Sequence, residues 1–412
     1  MESFIARRLY KNEKGSRRVS RPAVLIAQAG VALGLAVMLL TIAVSFGFKH
    51  EVREKAVGFS AHLHISNYES AQEYEALPVA ADTSLLHTLR SMRGVEHVQR
   101  YATKPGVFRT DDNFMGYVLK GVGEDYDLSF YAQYLREGVL PQFSDSIASG
   151  NVLISRVIAD KLQLGVGDRV DSYFLQGSMR ARRYTIAGIY ETGFSDYDRL
   201  FVITDLKAVQ ALNRWEADQV AGIEVQLTDF SKVEDMSWEL STILDRTEDK
   251  YGEEYLVQSV TDINPGLFAW LDVLDMNVWL ILALMIGVAA FTMISGLLIL
   301  IIERTQFIGI LKALGASDAS VRKAFLYLAM LIIGKGMLWG NIVGLGLCAI
   351  QKLTHVIPLD PANYYLDCVP IEFNWLFIIA VNVAMFVLSV LVLIVPSHLI
   401  SRIYPTKAMR FE

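Results

Sequence analysis

The sequence predicts a membrane protein in which four transmembrane α-helices carry a large extracytoplasmic α/β domain inserted between the first and second spans. Three observations predict it. Four apolar runs, Ala23–Phe48, Met276–Ile302, Ala324–Gln351 (interrupted by Lys335) and Phe373–Ile400, each exceed the roughly 20 residues needed to cross a bilayer. A mean hydropathy of +0.34 with 53% hydrophobic residues is too apolar for an ordinary soluble chain and too polar for spans alone. Charge divides by region: Lys49–Asp275 holds 22 basic and 36 acidic residues, and the remainder holds 16 and 8. Lys and Arg concentrate in cytoplasmic segments, so both termini are expected inside and the acidic segment 49–275 outside. An acidic outer surface argues against binding nucleic acid through its phosphates.

In chain order, residues 1–22 form a basic cytoplasmic segment, with Phe4, Ile5 and Leu9 on one side of a surface-lying helix and Pro22 opening the first span. The first span, 23–48, is too long for a signal-peptide core and reads as an uncleaved anchor. Gly30 and Gly34 permit close helix approach, and the helix is expected to continue to about Val57. Outside, Ala61–Ile65 alternates as a strand. Asp82 caps a helix ended by Gly94, and Val95–Tyr101 is a strand. The same order recurs in Gly222–Leu227, Phe230–Leu244 and Tyr255–Val260. Two strand–helix–strand units, 58–101 and 218–262, therefore flank a strand-rich insertion, 102–217. Spans follow at 276–302, 324–351 and 373–400, with a cytoplasmic loop at 303–323, an outer loop at 352–372 and a cytoplasmic tail at 401–412.

Catalytic signatures are missing from the sequence. It contains no Gly-x-x-x-x-Gly-Lys-Ser/Thr loop for phosphates and no nucleophile elbow. His62 and His64 share a strand face, a weak hint of metal that solvated or core histidines explain better. Cys348 and Cys368 match no ligand spacing, and no metal site or disulfide is expected. Lys335 lies about 18 Å into the third span at 1.5 Å per residue, among Gly334, Gly336, Gly340 and Asn341. An intramembrane charge is a functional candidate by default; a structural role at a helix contact is preferred here.

The loop 303–323 carries the densest motif. Phe307, Ile308, Leu311 and Leu314 fall at i, i+1, i+4 and i+7, giving a short amphipathic helix that Gly315 stops. Periodicity alone allows an interfacial helix of any multi-pass protein. The run Glu303-Arg304 through Phe307, Gly309-Ile310-Leu311-Lys312 and Leu314-Gly315-Ala316, however, resembles the coupling helix of permeases that include the lipoprotein-releasing, macrolide-exporter and cell-division families. Phe4–Leu9, Gly30–Gly34, Gly47–Lys55, Pro358–Leu366, Val369–Glu372 and Tyr404–Arg410 resemble the lipoprotein-releasing permeases of the LolC and LolE type.

That resemblance implies an inner-membrane ABC transporter permease with no cofactor of its own and no catalytic residues. ATP would be bound and hydrolysed by a separate LolD-like ATPase subunit docked on Glu303, Arg304, Phe307, Gly309, Ile310, Leu311, Lys312, Leu314 and Gly315. It implies a homo- or heterodimer of permeases, a Porter-like domain (58–101 and 218–262) with a Sabre-like insertion (102–217), and a lipoprotein substrate. The expected acyl-chain contacts are Leu40, Val44 and Phe48 on the first span and Trp279 and Leu282 on the second. A periplasmic lipoprotein carrier is implied as a further partner. The turn Leu175–Arg183 is shorter than the hairpin with which LolC hooks that carrier, which leaves direct docking by this chain open. Two other readings remain open: a MacB-like exporter of peptides or drugs, and an FtsX-like regulator of cell-wall hydrolases, whose outer domain is usually much smaller than 49–275.

Overall fold

The structure, a computed structural model, describes residues 20–71, 75–145, 148–176 and 178–397. The expected surface helix of residues 4–21 lies almost entirely outside these, as do the Tyr404–Arg410 motif and residue 177 of the expected 175–183 turn. The chain forms two compact units.

The membrane unit comprises four helices long and apolar enough to cross a bilayer. Three are longer than their apolar runs. The first spans Ser20–Ser60, the second Pro265–Glu303 and the third Asp318–Thr354, while the fourth spans Trp375–Ser397. Apolar content marks only where a helix can meet lipid. Where it begins is set by its caps: Pro265 sits at the start of the second helix, a position that needs no N–H, and the Ser317 hydroxyl accepts from the Ser320 N–H to start the third.

Glycines set the packing of the first helix on the third. A Cβ on Gly336 would lie 3.0 Å from the Gln28 carbonyl oxygen, one on Gly340 2.8 Å from that of Ala32, and one on Gly344 3.0 Å from the Ala36 Cα. These contacts are with backbone, which cannot swing aside. Asn341 and Asn382 tie the third helix to the fourth through reciprocal Nδ2-to-Oδ1 bonds of 2.7 and 3.0 Å. Each amide also donates to a carbonyl one turn back, Met337 and Ile378, at 2.9 Å, so all four N–H bonds are used and the pair is satisfied within the apolar layer. Gly340→Val is therefore expected to lower stability by about 3 kcal/mol, the upper range for overpacking. Gly346→Val, where a Cβ meets nothing within 4 Å, should change little. Thermal unfolding in detergent checks both, and equal effects at the two sites would refute the stripe.

The soluble unit comprises Glu51–Ala269 together with Leu359–Asp367. Its strands are β1 Leu63–Asn67, β2 Val79–Ala80, β3 Val95–Arg109, β4 Phe114–Val122, β5 Leu135–Gly138, β6 Asn151–Ser155, β7 Arg169–Gln176, β8 Ser178–Tyr190, β9 Phe201–Asp205, β10 Gln219–Val220, β11 Gly222–Leu227 and β12 Tyr255–Ser259. The main sheet runs β12-β1-β11-β3-β4-β9-β6-β8-β5, with β7 paired to both β3 and β8. The half β12-β1-β11-β3 is antiparallel. Its inward residues Leu63, Ile65, Val98, Ile223 and Val225 share one core with Leu86 and Leu89 of helix Thr83–Ser91 and with Val233 and Leu240 of helix Val233–Leu244. Strands β3, β4, β9, β6, β8 and β7 return to β3 and close a ring.

β3 belongs to both halves, which the sequence did not suggest. The strand was expected over Val95–Tyr101. It runs on to Arg109 because β11 pairs only up to Tyr101 and β7 only from Val107. Between them β3 has β4 on one side alone, where proline is tolerated. Gly106 leaves room for Phe174, whose ring would stand 2.7 Å from a Cβ there.

The middle of the expected outer loop, Leu359–Asp367, folds as part of the soluble unit. The buried Lys55 ammonium donates to the carbonyls of Thr192 and Tyr365, the latter at 2.9 Å. The Tyr365 ring packs edge-on against Phe194 at 4.7 Å. Beside them Asp198 accepts from the Thr192 hydroxyl at 2.8 Å and from the N–H groups of Thr192 and Gly193. Burial nonetheless pushes its carboxyl up to about 6.

Candidate functional site

Two features of the membrane unit carry functional geometry. The first is the loop between the second and third long helices, which folds as a helix over Thr305–Ala313. At its end the Ala316 N–H donates to the Leu311 carbonyl and the Gly315 N–H to that of Lys312, both at 3.0 Å, with Gly315 at φ +90°. This is the Schellman closure, which needs a left-handed residue. Leu311 and Ala316, both packed on the membrane core, supply its apolar contact. Lys312 Nζ lies 2.9 Å from Asp318 Oδ1.

The single apolar face expected of this helix divides in two. Ile308 is fully buried and Leu311 packs beside it against the long helices. Phe307 is half-buried, while Ile310 and Leu314 are 50% and 80% exposed. A 3.6-residue period puts 307, 310 and 314 on one stripe and 308 and 311 on the next. Leu311 thus turns inward, away from the surface expected of it. Gly309 is buried, and Glu303, Arg304 and Lys312 are half-buried around the exposed stripe.

The second feature is a cavity of about 640 Å³ between the first, second and fourth long helices. Met38, Ile42, Ser45 and Phe46 line it from the first helix, Trp279, Leu282 and Ile286 from the second, and Phe377, Val381 and Met385 from the fourth. The Phe46 and Phe377 rings meet at 4.6 Å. Lys49 and Asp275, joined as an ion pair, also border it. Of the acyl-chain contacts expected from the sequence, Trp279 and Leu282 are here. Leu40 and Val44 are not: they pack against Ala43, Cys348 and Ile371. Phe48 is buried, its ring 5.4 Å from Trp270. The sequence does not fix which stripe of the first span lines this cavity, because that span is apolar around most of its circumference. A signal was present, however. Gly30 and Gly34 face Thr292 and Ala289 of the second helix, and steps of about one turn from them lead through Met38 and Ile42 to Ser45 and Lys49.

Lys335 stands on an exposed side of the third helix, beside Leu331, Leu338 and Trp339. The packing surface of that helix is carried instead by the glycine stripe.

A polar cleft of about 350 Å³ lies on the soluble unit's sheet, lined by His64, Tyr101, Lys120, Glu224 and Gln258 among others. Lys120 Nζ donates to Glu224 Oε1 at 2.6 Å and to the Phe59 carbonyl at 2.8 Å, and Gln99 Nε2 donates to Glu224 Oε2 at 2.7 Å. His64 Nδ1 lies 3.2 Å from the Tyr101 hydroxyl, and burial lowers its pKa. His62 Nδ1 accepts from the Leu227 N–H at 3.1 Å, and burial lowers its pKa to about 4. These two histidines, weighed above as possible ligands, are thus engaged within the fold.

Comparison with known proteins gives concordant matches. The MacB-like periplasmic core domain family matches residues 24–243, and the FtsX-like permease C-terminal family matches residues 279–405. The lipoprotein-releasing system transmembrane protein LolC of Xylella fastidiosa (strain Temecula1) is 27% identical over 402 residues, covering 93% of this chain and 92% of its own. LolE of Haemophilus influenzae is 22% identical over 399 residues, covering 92% of each. Among solved structures, the extracellular domain of the ABC-type transporter YknZ from Gram-positive bacteria aligns at 16% identity with a TM-score of 0.34. It covers 47% of this chain and 98% of that one. The periplasmic region of MacB from Actinobacillus actinomycetemcomitans aligns at 13% identity with a TM-score of 0.35, covering 51% and 95%.

Proposed function

Because the chain belongs to the MacB-like periplasmic core domain family, as a multi-pass permease of the LolC/LolE type, we propose that it is the permease subunit of an ATP-driven transporter that extracts lipoproteins from the outer leaflet of the inner membrane for release toward the outer membrane. The cavity between the first, second and fourth helices carries this reading. An apolar chamber with its charged residues confined to one pair suits an acylated cargo and offers little to a polar one. No bond in the cargo has to be made or broken. Burying each CH₂ in the bilayer is worth about 0.8 kcal/mol, so extraction needs an energy source. In this reading ATP is bound and hydrolysed by a separate LolD-like subunit, with Phe307, Ile310 and Leu314 as its docking stripe; the family likeness supports it. A second permease, identical or paralogous, and a periplasmic lipoprotein carrier complete the assembly.

Depletion of the protein followed by membrane fractionation tests the assignment. Lipoproteins destined for the outer membrane are expected to accumulate in the inner membrane, and an unchanged distribution would refute it. A photoreactive residue at Ile42, with the ATPase inactivated, is expected to capture a lipoprotein, and the same residue at Val44 is not. Equal capture at both positions would remove the cavity from the cargo path.

A further inference from the structure

Lys49 and Asp275 are the charged residues lining an otherwise largely apolar cavity, and they join the first and second long helices through side chains 226 positions apart in sequence. We propose that this pair is a latch at the mouth of the cavity, that the chamber behind it holds a single acyl chain of a membrane amphiphile, and that Lys49, once released, donates to the ester carbonyls at that amphiphile's polar junction. The proposal rests on the transport reading only for the identity of the amphiphile.

Dimensions fix the number of chains. From Met38 to Lys49 the first helix rises about 16 Å at 1.5 Å per residue, close to half the roughly 30 Å hydrocarbon thickness and thus the depth of one leaflet. About 640 Å³ falls in the range of roughly 300–1,000 Å³ that suits one ligand of modest size, such as a single acyl chain. The gradient of polarity fixes the chemistry. Ile42, Phe46, Leu282, Phe377 and Met385 offer hydrocarbon, and the ion pair stands at the end where the first helix leads out of its apolar run. A cation above an apolar shaft matches an acyl chain hanging from an ester.

The pair is also suited to opening. The Asp275 side chain is 51% exposed and that of Lys49 17%, so water takes over the carboxylate when the two part, and a half-solvated ion pair is weak. A fully buried pair could not act this way, because separation would strand a charge.

The test uses the full-length chain in nanodiscs of phosphatidylethanolamine and phosphatidylglycerol. The probe is a trace of phosphatidylcholine carrying a diazirine on one acyl chain. In a Cys348→Ala, Cys368→Ala background, Lys49→Cys and Asp275→Cys are bridged by a reducible bis-thiosulfonate. Photolabelling of the peptides holding Ile42 and Ala283 is expected to fall at least about tenfold on bridging and to return on reduction. Labelling at Phe291, 73% exposed, should stay constant as the lipid-facing control. Cavity labelling that is equal in the bridged and open states, or absent in both, overturns the proposal. Asp275→Asn in the otherwise native chain gives a second reading free of cysteines: it should raise cavity labelling, and an unchanged level would overturn the latch. A photoreactive residue at Ile42 in cells then separates the sources, since either a lipoprotein or a phospholipid adduct supports an acyl-chain chamber and a soluble-peptide adduct overturns it. Because the nanodiscs contain no lipoprotein, their outcome is independent of the sorting experiment above.

Discussion

Leu314→Asp is expected to release the ATPase subunit from the purified complex while leaving the permease inserted and folded. Leu314 is 80% exposed and Ile310 50%, so neither charge would disturb the packing of the long helices. Both positions lie on a short apolar stripe with Phe307, and exposed apolar residues clustered on one helix face suit a groove in a partner. Loss of a central anchor of this kind costs at least about 2 kcal/mol, roughly thirty-fold in affinity. Ile308→Asp and Leu311→Asp should fail for a different reason, because they place a carboxylate in the membrane unit's core. Detergent unfolding separates the two classes: the 310 and 314 variants should unfold like wild type, and the 308 and 311 variants earlier. Undiminished ATPase recovery with Ile310→Asp and Leu314→Asp combined would sink the docking assignment.

Lys120→Met is expected to destabilise the soluble unit by about 3–5 kcal/mol, the effect of leaving one member of a buried ion pair without its partner. Side chains of Lys120 and Glu224 are 4% and 1% exposed, and the substitution would take the Glu224 carboxylate's cationic partner away while Gln99 stays bonded to it. Adding Glu224→Gln removes the charge and leaves an amide that Gln99 can still meet, so the double variant should recover most of the loss. A thermal-shift series over the four proteins measures the recovery directly. A loss below about 1 kcal/mol for Lys120→Met would mean that water reaches the carboxylate and that the pair is not what holds strands β4 and β11 across the sheet face.

The four spans were legible because twenty or more apolar residues in a row have few other uses, and the end of the loop helix was legible because Gly315 fits a left-handed position that other residues resist. The strands and helices of the half β12-β1-β11-β3 could be read from alternation and caps. What escaped was fixed by contacts between distant segments. β3 continues past Tyr101 through Pro105 and Gly106 because β11 and β7 leave that stretch open on one side. Leu359–Asp367 reads as a loop joining two spans, and nothing local in it announces Lys55 or Phe194. Lys120 and Glu224 are ordinary charged residues in alternating strands, and only the register of β4, β3 and β11 buries them together. In the first span, uniform hydrophobicity erased the helical phase. The cavity-lining side is marked by Gly30 and Gly34, which show where the second helix comes close and hence which stripe faces the space where it does not.

The closure at Gly315 has a mechanical consequence. The Arg304 N–H still donates to Leu300 of the second long helix at 3.1 Å and the Ile308 N–H to Arg304 at 3.0 Å, so the hydrogen-bond ladder barely lapses on entering the loop helix. On leaving it, Gly315 and Ala316 are the only residues between its Leu314 cap and the Ser317 cap of the third helix, and both donate back into the loop helix. The segment is built like a bell-crank with almost no backlash: a thrust applied at Leu314 would reach two spans at once, with no slack turn to absorb the stroke.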